Sequence, residues 1–391
     1  MYAKGKGAKD VSLAYSSLTS NIYYQDFVQQ VTVDGTWDDH DYGVNDGGRW
    51  VGEKLDRALQ FMNFLNYGRT VAHRRSQMSA RIAEREGVYH SRTVRGADGG
   101  VAKFLFLDTR YMRDHHYVRS LGEIKLPLTA LIAAAYRTLY SLLGFGRNYE
   151  GDVLGEKQWA WLEAELGSAA LSNKTVDFHV VVSSIQVFTS NPAVESWGHF
   201  PEAKRRLIEV FRRCSPSGLA ILSGDVHHAE TITVPTGSNT APWFELTSSG
   251  ITHSAADGLV DSLLCPLMLD TFSRHRRSDY GDAVYVGKNF GKIQFNQRVM
   301  NVSIHDVESG LAVLERVVKS SSRTFGNPKA NIPGPIETVD FPTLQPLYVV
   351  VTTLIVGLSI LWFVSRVFER NRKTKKSTSS STNRVGSVVE R

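Results

Sequence analysis

Short apolar runs alternate with helical patterns along most of the chain, and this alternation constrains the fold more than any other feature. Residues 101–107, 178–182 and 220–222 are mostly apolar and are predicted to be buried strands. Helical spacing of apolar residues lies between them at 158–166 and 201–211, the second with Pro at its start. Strand–helix–strand order predicts an α/β fold whose sheet layers are covered by helices.

Polar residues stand at the ends of these three predicted strands and of a fourth, at 243–249. They stand at residues 108–110, 183–184, 225–228 and 247–253. In open α/β sheets, functional groups gather at the carboxyl ends of strands. The four segments are therefore expected to line one site.

Asp225 and His227 are candidate ligands of one metal ion. One residue separates them, so both side chains can turn to the same side of an extended segment. Carboxylate and imidazole together suit Zn, Fe or Mn. A hydrogen-bonded Asp–His pair without metal is the alternative.

A second acidic cluster lies near the start, in Trp-Asp-Asp-His-Asp at residues 37–41. Here Asp39, His40 and Asn45 offer a carboxylate, an imidazole and an amide oxygen. His40 is also a candidate general acid toward a leaving oxygen. The alternative is a solvated acidic turn before a helix. If the two clusters meet, they build a polynuclear hydrolytic metal site.

Three further features have two interpretations each. Arg110 carries a planar fork suited to phosphate, or it pairs with Asp108 or Asp114. His253 is a further ligand or a packed histidine, and the pair at 115–116 reads as surface. The apolar stretch 126–145 predicts an amphipathic helix packed on the domain, with a lid or membrane-facing helix as the alternative.

The charge distribution argues against a nucleic-acid partner. The formal net charge is +6, and the residues from Arg366 onward account for all of it, with eight Lys and Arg against two Glu. The remainder is formally neutral, so no basic face is indicated.

The C-terminal part predicts a membrane anchor. Residues 347–364 carry no charge and are long enough to cross a hydrocarbon core of about 30 Å. The basic tail at 365–391 is then expected in the cytosol and disordered, with the large domain, 1–340, outside it or in a lumen. Sequons at Asn173 and Asn301 agree with that orientation. No signal peptide precedes the domain, so a missing N-terminal segment is expected.

Six ordered blocks resemble the PhoD-like alkaline phosphatase family, a branch of the calcineurin-like metallophosphoesterases. They are TWDDHDYGVNDGG, FLFLDTRYMRD, QWAWLEAEL, WGHFPEAKRRLIEVF, GLAILSGDVHHAE and ELTSSGITHS, within residues 1–310. The resemblance implies a four-layer α/β/β/α sandwich and a polynuclear site that hydrolyses phosphate esters. It maps that site onto Asp39, His40, Asn45, Asp225, His227 and His253.

The family pattern departs at the first residues. Members carry a Gly-Asp-x-x-Tyr-like block whose Asp bridges the metals, and Tyr2 is interpreted as its remnant and a further metal ligand. The expected ions are Fe, Zn, Mn or Ca.

The resulting hypothesis is a single-pass membrane phosphatase that acts on a phosphorylated substrate. His40 or His228 protonates the leaving group, and Arg110 contacts the phosphate. A catalytically impaired binding protein, or a phosphodiesterase or nuclease on the same scaffold, is the alternative.

Overall fold

The structure is a computed structural model that describes residues 8–65, 81–117, 129–171, 176–236, 242–255, 257, 269 and 281–320. Tyr2, the predicted span at 347–364, the tail at 365–391 and the sequon at Asn173 lie outside these ranges. Asn301 lies within them and is exposed. Among the described residues, no helix combines the length and apolarity needed to cross a bilayer.

Seven α-helices lie within the described ranges. Three of them, α5, α6 and α7, occupy segments for which the sequence predicts helices. The helices are α1 (Ala8–Thr19), α2 (Ile22–Gln30), α3 (Asp39–Tyr42), α4 (Lys54–Leu65), α5 (Thr129–Leu142), α6 (Glu156–Leu171) and α7 (Pro201–Cys214).

A seven-stranded sheet forms the centre of the fold. Its order is β1-β2-β3-β4-β6-β5-β7, and β2, β3, β4 and β6 are parallel. The predicted α/β class is therefore confirmed. The strands are β1 (His90–Arg95), β2 (Val101–Phe106), β3 (Phe178–Val182), β4 (Ala220–Ser223), β5 (Ala229–Val234), β6 (Trp243–Ser248) and β7 (Val284–Tyr285).

Helices α6 and α7 cover one face of this sheet. Trp159 and Leu162 of α6 and Phe211 of α7 are fully buried against Leu105 of β2 and Ile221 of β4. The apolar side predicted for residues 158–166 is thus the side that packs. Burial of this apolar surface is the main term that holds the layers together.

A three-stranded antiparallel sheet covers the other face. It contains β8 (Asn289–Phe295), β9 (Val299–Asp306) and β10 (Ala312–Lys319), and β9 and β10 form a hairpin that turns near residue 310. Met300 and Val302 pack on Phe178 and Val180 of the large sheet. The described layers are helix, sheet and sheet, and a fourth, outer helical layer is not seen in this part of the chain.

Asp108, directly after β2, ties three segments together. Its Oδ1 accepts hydrogen bonds from Trp37 Nε1 at 2.8 Å and from the N–H groups of Arg110 and Tyr111 at 3.0 and 2.9 Å. Its Oδ2 accepts from the Val88 N–H at 2.9 Å. Burial raises the pKa of this carboxyl, although the hydrogen bonds oppose the rise. Asp108 therefore fixes the first acidic block against the end of β2.

Replacing Asp108 with Ala is expected to lower the free energy of unfolding by about 3 kcal/mol or more, because each buried donor left unpaired costs about 1–3 kcal/mol. Urea unfolding followed by circular dichroism measures the change. Asp56→Ala, an exposed residue in the first turn of α4, is the control, with an expected cost below about 1 kcal/mol. Equal losses in the two variants would contradict this role for Asp108.

Candidate metal centre

Carboxylates from three separate segments converge at the carboxyl end of β4. Oxygens of Asp38, Asp39 and Asp225 all lie within 4.8 Å of one another. Oxygens of Asp39, Asp46 and Glu195 form a second set within the same limit. Asp39 belongs to both sets, so the five carboxylates form one continuous acidic centre.

The first acidic block folds so that Asp39 is fixed in place. Asp39 begins α3, and its Oδ1 accepts the His40 N–H at 2.6 Å while Oδ2 accepts the Asp46 N–H at 3.1 Å. Gly43 ends this short helix with φ +90°, a left-handed conformation that glycine adopts without steric cost. The loop that follows therefore turns back and brings Asp46 beside Asp39.

The segment after β4 is a strained turn and not the extended segment that the sequence predicts. Asp225 and His227 have φ of +73° and +59°, a region that costs a residue with a Cβ about 1–2 kcal/mol. The His227 N–H donates to Ser249 Oγ at 3.1 Å. Such strain persists where the surroundings over-determine the conformation, often at functional sites. The turn directs Asp225 to the acidic centre.

Three arginines are paired with this centre. The Arg110 Nε and Nη2 donate to Asp38 Oδ1 at 2.8 and 2.5 Å, and its Nη1 donates to Glu195 Oε1 at 3.0 Å. Arg113 also contacts Glu195. A third arginine, Arg137, pairs with Asp46 at 2.9 Å.

Arg110 is completely buried, and its fork is occupied by carboxylates. Asp108 is one of the partners that the sequence suggests for the Arg110 fork. It accepts a hydrogen bond from the backbone N–H of Arg110 and not from the guanidinium. In this structure the guanidinium holds Asp38 and Glu195 in position. Its predicted contact with phosphate stays a prediction.

The carboxyl groups of Asp38, Asp39 and Asp225 have pKa values that are shifted in different directions. Burial raises the pKa of Asp38, but the Arg110 charge and a hydrogen bond from Ser184 outweigh it and hold the pKa below its ordinary value. Burial and the charge of Asp38 raise the pKa of Asp39. Burial and the charges of Asp38 and Asp39 raise the pKa of Asp225 well above its ordinary value. A cation bound beside Asp39 and Asp225 would lower the pKa of both carboxyls.

The donor set fits a metal ion. Three guanidinium groups oppose five carboxylates, which leaves two negative charges in a largely buried place when all are ionised. Carboxylate oxygens are the ligands that Ca²⁺, Mg²⁺ and Mn²⁺ prefer. Buried charges of one sign are stable when they are paired or coordinate a metal.

Histidines stand beside the carboxylates. The rings of His227 and His253 are 6.1 Å apart between centroids. Burial lowers the pKa of His227, and the nearby charges of His253 and His40 lower it further. The structure thus brings His40, His227 and His253 near one another, although their nitrogens are not among the two sets of converging ligand atoms. His253 is exposed, so it is not the packed histidine of the alternative interpretation.

His228 points elsewhere. It is 2% exposed, and its Nε2 lies 3.7 Å from Glu230 Oε2, in a buried polar network that includes Gln186. Its Nδ1 lies 2.9 Å from the Val226 carbonyl oxygen. The predicted proton donor His228 is therefore enclosed in the interior. Asn45 is half-buried beside Asp46.

The sequence interpretation missed Asp38, Asp46 and Glu195. Two of them stand in the same block as Asp39, so the density of acids there was an available signal. Glu195 stands in the connection between β3 and α7, with no spacing motif to distinguish it. The interpretation of residues 115–116 as surface was wrong for His116, which is 8% exposed because it packs near Glu195, His199 and Phe200.

Fold and site together define an α/β protein with an acidic, cation-accepting centre at the carboxyl end of its sheet. The family model of the PhoD-like phosphatases matches residues 12–303. The chain therefore belongs to the PhoD-like phosphatase family, as its sequence blocks predict. A comparison with curated proteins finds no match.

Several solved structures are similar to this chain. One described as PhoD has 16% identity and a TM-score of 0.41, covering 72% of this chain and 51% of that one. The anchor GAP50 of the inner membrane complex of Plasmodium has 14% identity, a TM-score of 0.36, and coverage of 61% and 55%. The purple acid phosphatase PPD1 from yellow lupin (Lupinus luteus) seeds has 10% identity and a TM-score of 0.35, covering 68% of this chain and 44% of that one. The chain spans about half the length of these structures.

Proposed function

We propose that this protein is a metal-dependent phosphoesterase. The observation that carries the proposal is the convergence of Asp38, Asp39 and Asp225 at the carboxyl end of β4 in a member of a phosphatase family. In the reaction, the oxygen of a water molecule forms a bond to phosphorus and the bond from phosphorus to the alcohol oxygen breaks. The departing oxygen takes up a proton.

Asp39 and Asp225 are the residues proposed to hold the ion, with Asn45, His227 and His253 beside them. A bound ion of this kind polarises phosphoryl oxygens and lowers the pKa of a coordinated water. Mn and Ca are supported by the carboxylate-rich donors, and the adjacent imidazoles support Zn and Fe. The high pKa of Asp225 is expected to fall when a cation replaces the proton.

His40 is the residue proposed to deliver the proton to the leaving oxygen. It is half-buried and follows Asp39 directly. It is also close enough to His227 for its charge to lower the pKa of His227. The enclosure of His228 beside Glu230 favours His40 for this role. Arg110 acts as a positioning residue that keeps Asp38 and Glu195 in place.

A non-catalytic binding protein is the second candidate. It is favoured by the arginine pairs, because Arg110, Arg113 and Arg137 already neutralise three of the five carboxylates. Such a protein keeps the centre as a structural charge network and turns over no ester.

Removal and return of metal separates these candidates. The protein is treated with EDTA, dialysed, and supplied in turn with Mn²⁺, Ca²⁺, Zn²⁺ or Fe²⁺, and hydrolysis of 4-nitrophenyl phosphate and bis(4-nitrophenyl) phosphate is followed. We expect activity to fall at least about tenfold with EDTA and to return with one of the ions, because the bound ion is the group proposed to activate water.

Three other outcomes change this conclusion: two count against the first candidate, and a preference for the diester redefines its substrate. Bound metal without turnover of either ester favours the binding protein. Faster hydrolysis of the diester favours a phosphodiesterase or nuclease on the same scaffold. Activity that is indifferent to EDTA contradicts the metal dependence.

The proposal extends to the architecture of the whole chain. The uncharged run at 347–364 is proposed to anchor the protein in a membrane, with the large domain on the lumenal or extracellular side and the basic tail in the cytosol. A fourth, helical layer is proposed to cover the outer face of the three-stranded sheet, where Phe290 and Val317 are 37% and 62% exposed.

A further inference from the structure

A cavity of about 60 Å³ lies beside the acidic centre, between α5 and the connection that precedes α7. The function proposed above leaves it without a role. Its walls are formed by aromatic, basic and small residues, chiefly His116, Tyr117, Tyr136, Arg137, Tyr140 and Phe145.

The cavity shares a wall with the acidic centre. Arg137 lines it and reaches Asp46 at 2.9 Å, and His116 lines it with Nε2 3.6 Å from Glu195 Oε1. A group in the cavity is thus one side chain away from two of the five carboxylates.

The wall is aromatic and cationic. The Tyr140 ring lies 4.8 Å from Phe145, 5.5 Å from Tyr136 and 6.0 Å from Tyr117, between centroids. No acidic residue is among the described residues that line the cavity, whereas Arg137 and Arg147 are. Aromatic walls attract a planar ring, and the arginines favour a ligand that carries negative charge.

One buried polar atom in the wall of the cavity has no hydrogen-bond partner among the described residues, and a bound ligand could supply one. His116 is 8% exposed, and its Nε2 has no hydrogen-bond partner among the residues that the structure describes. A buried polar atom left unpaired costs about 1–3 kcal/mol, so such atoms normally have a partner. The oxygen that joins a ring to phosphorus is a group that can supply one.

The size of the cavity limits the ring. An enclosed cavity of about 150 Å³ holds a benzene molecule, and this one has less than half that volume. A single ring can enter it by one edge and cover Tyr117 and Phe145, which are 53% and 51% exposed. A single ring already exceeds the enclosed part, and the fused rings of a purine exceed it further.

We propose that this cavity binds the alcohol part of the substrate, and that the preferred substrates are phosphate monoesters of single-ring aromatic alcohols. The inference rests on the proposed phosphoesterase function and names its substrate class. Tyr140 and Phe145 determine the preference by stacking on the ring.

Binding of non-hydrolysable phosphonates tests the inference without depending on turnover. Benzylphosphonate carries the ring and methylphosphonate does not, and both are titrated into the Mn²⁺-loaded protein by calorimetry. We expect benzylphosphonate to bind about tenfold more tightly. In Phe145→Ala and Tyr140→Leu this ratio is expected to fall about three- to tenfold, the range that aromatic pairs contribute.

Leu143→Ala is the matched control, because Leu143 is 59% exposed near the same end of α5 and does not line the cavity. Its ratio is expected to equal that of the wild type. Equal affinity for the two phosphonates overturns the inference but not the proposed function. An affinity ratio that Phe145→Ala and Tyr140→Leu leave unchanged does the same. A protein that binds neither phosphonate overturns the inference together with the proposed function.

Discussion

Asp225→Asn is expected to lower kcat/KM for phosphate ester hydrolysis by at least about 100-fold. Residues that only support metal ligands typically contribute 10–100-fold to metal affinity or activity, and Asp225 is proposed to be a ligand itself. Asn keeps the size of the side chain but cannot carry the charge that the ion requires. Metal content by mass spectrometry and steady-state kinetics on the same preparation measure the two losses together.

The stability of this variant is expected to move in the opposite direction. In the metal-free protein, Asp225 is crowded by Asp38 and Asp39, so a neutral amide removes repulsion. Metal-free Asp225→Asn should unfold at the same or a higher urea concentration than the metal-free wild type. Asp56→Asn, at an exposed position on α4, serves as the control for both measurements. Wild-type turnover and metal content in Asp225→Asn would contradict the proposed centre.

Arg110→Met is expected to lower the free energy of unfolding by about 3–5 kcal/mol. The change takes from Asp38 its guanidinium partner and leaves Glu195, which is 3% exposed, with Arg113 alone among the three arginines, so buried negative charge loses part of its compensation. Urea unfolding of the metal-free protein measures the loss. Mn²⁺ is expected to recover more stability in the variant than in the wild type, because a cation then takes over part of the missing charge.

Arg205→Met provides the comparison on the surface. Arg205 also reaches two carboxylates, those of Glu202 and Glu209, but it is 59% exposed. Exposed ion pairs contribute about 0–1 kcal/mol, so this loss should be small. Similar costs for the two arginine variants would mean that the pairs of Arg110 do not compensate a buried charge.

The site was predicted best where chemistry and sequence neighbourhood coincide. Asp39 and Asp225 stand in dense acid–histidine clusters after apolar runs, and the structure brings both to one place. Asp38 was missed because only the turn at the start of α3 brings both adjacent acids to the centre. Glu195 was missed because only the packing of the β3–α7 connection brings it to the centre.

Arg110 shows the same limit of prediction from sequence. Its sequence neighbourhood indicates a cation near the site, and the structure agrees. Its partners, however, are carboxylates distant in sequence, and they take up the fork that was assigned to phosphate. A residue type specifies which groups it can bind, whereas the fold decides which of them is near.

The sequence alone determined the α/β class, the family and two members of the acidic centre. These follow from local patterns: apolar periodicity sets the elements, and acids after a strand stand at the functional edge of the sheet. Only the tertiary structure decided the full set of five carboxylates, the burial of Arg110 and His116, and the aromatic cavity behind Arg137. These features depend on contacts between segments far apart in the chain, and such contacts are fixed by packing.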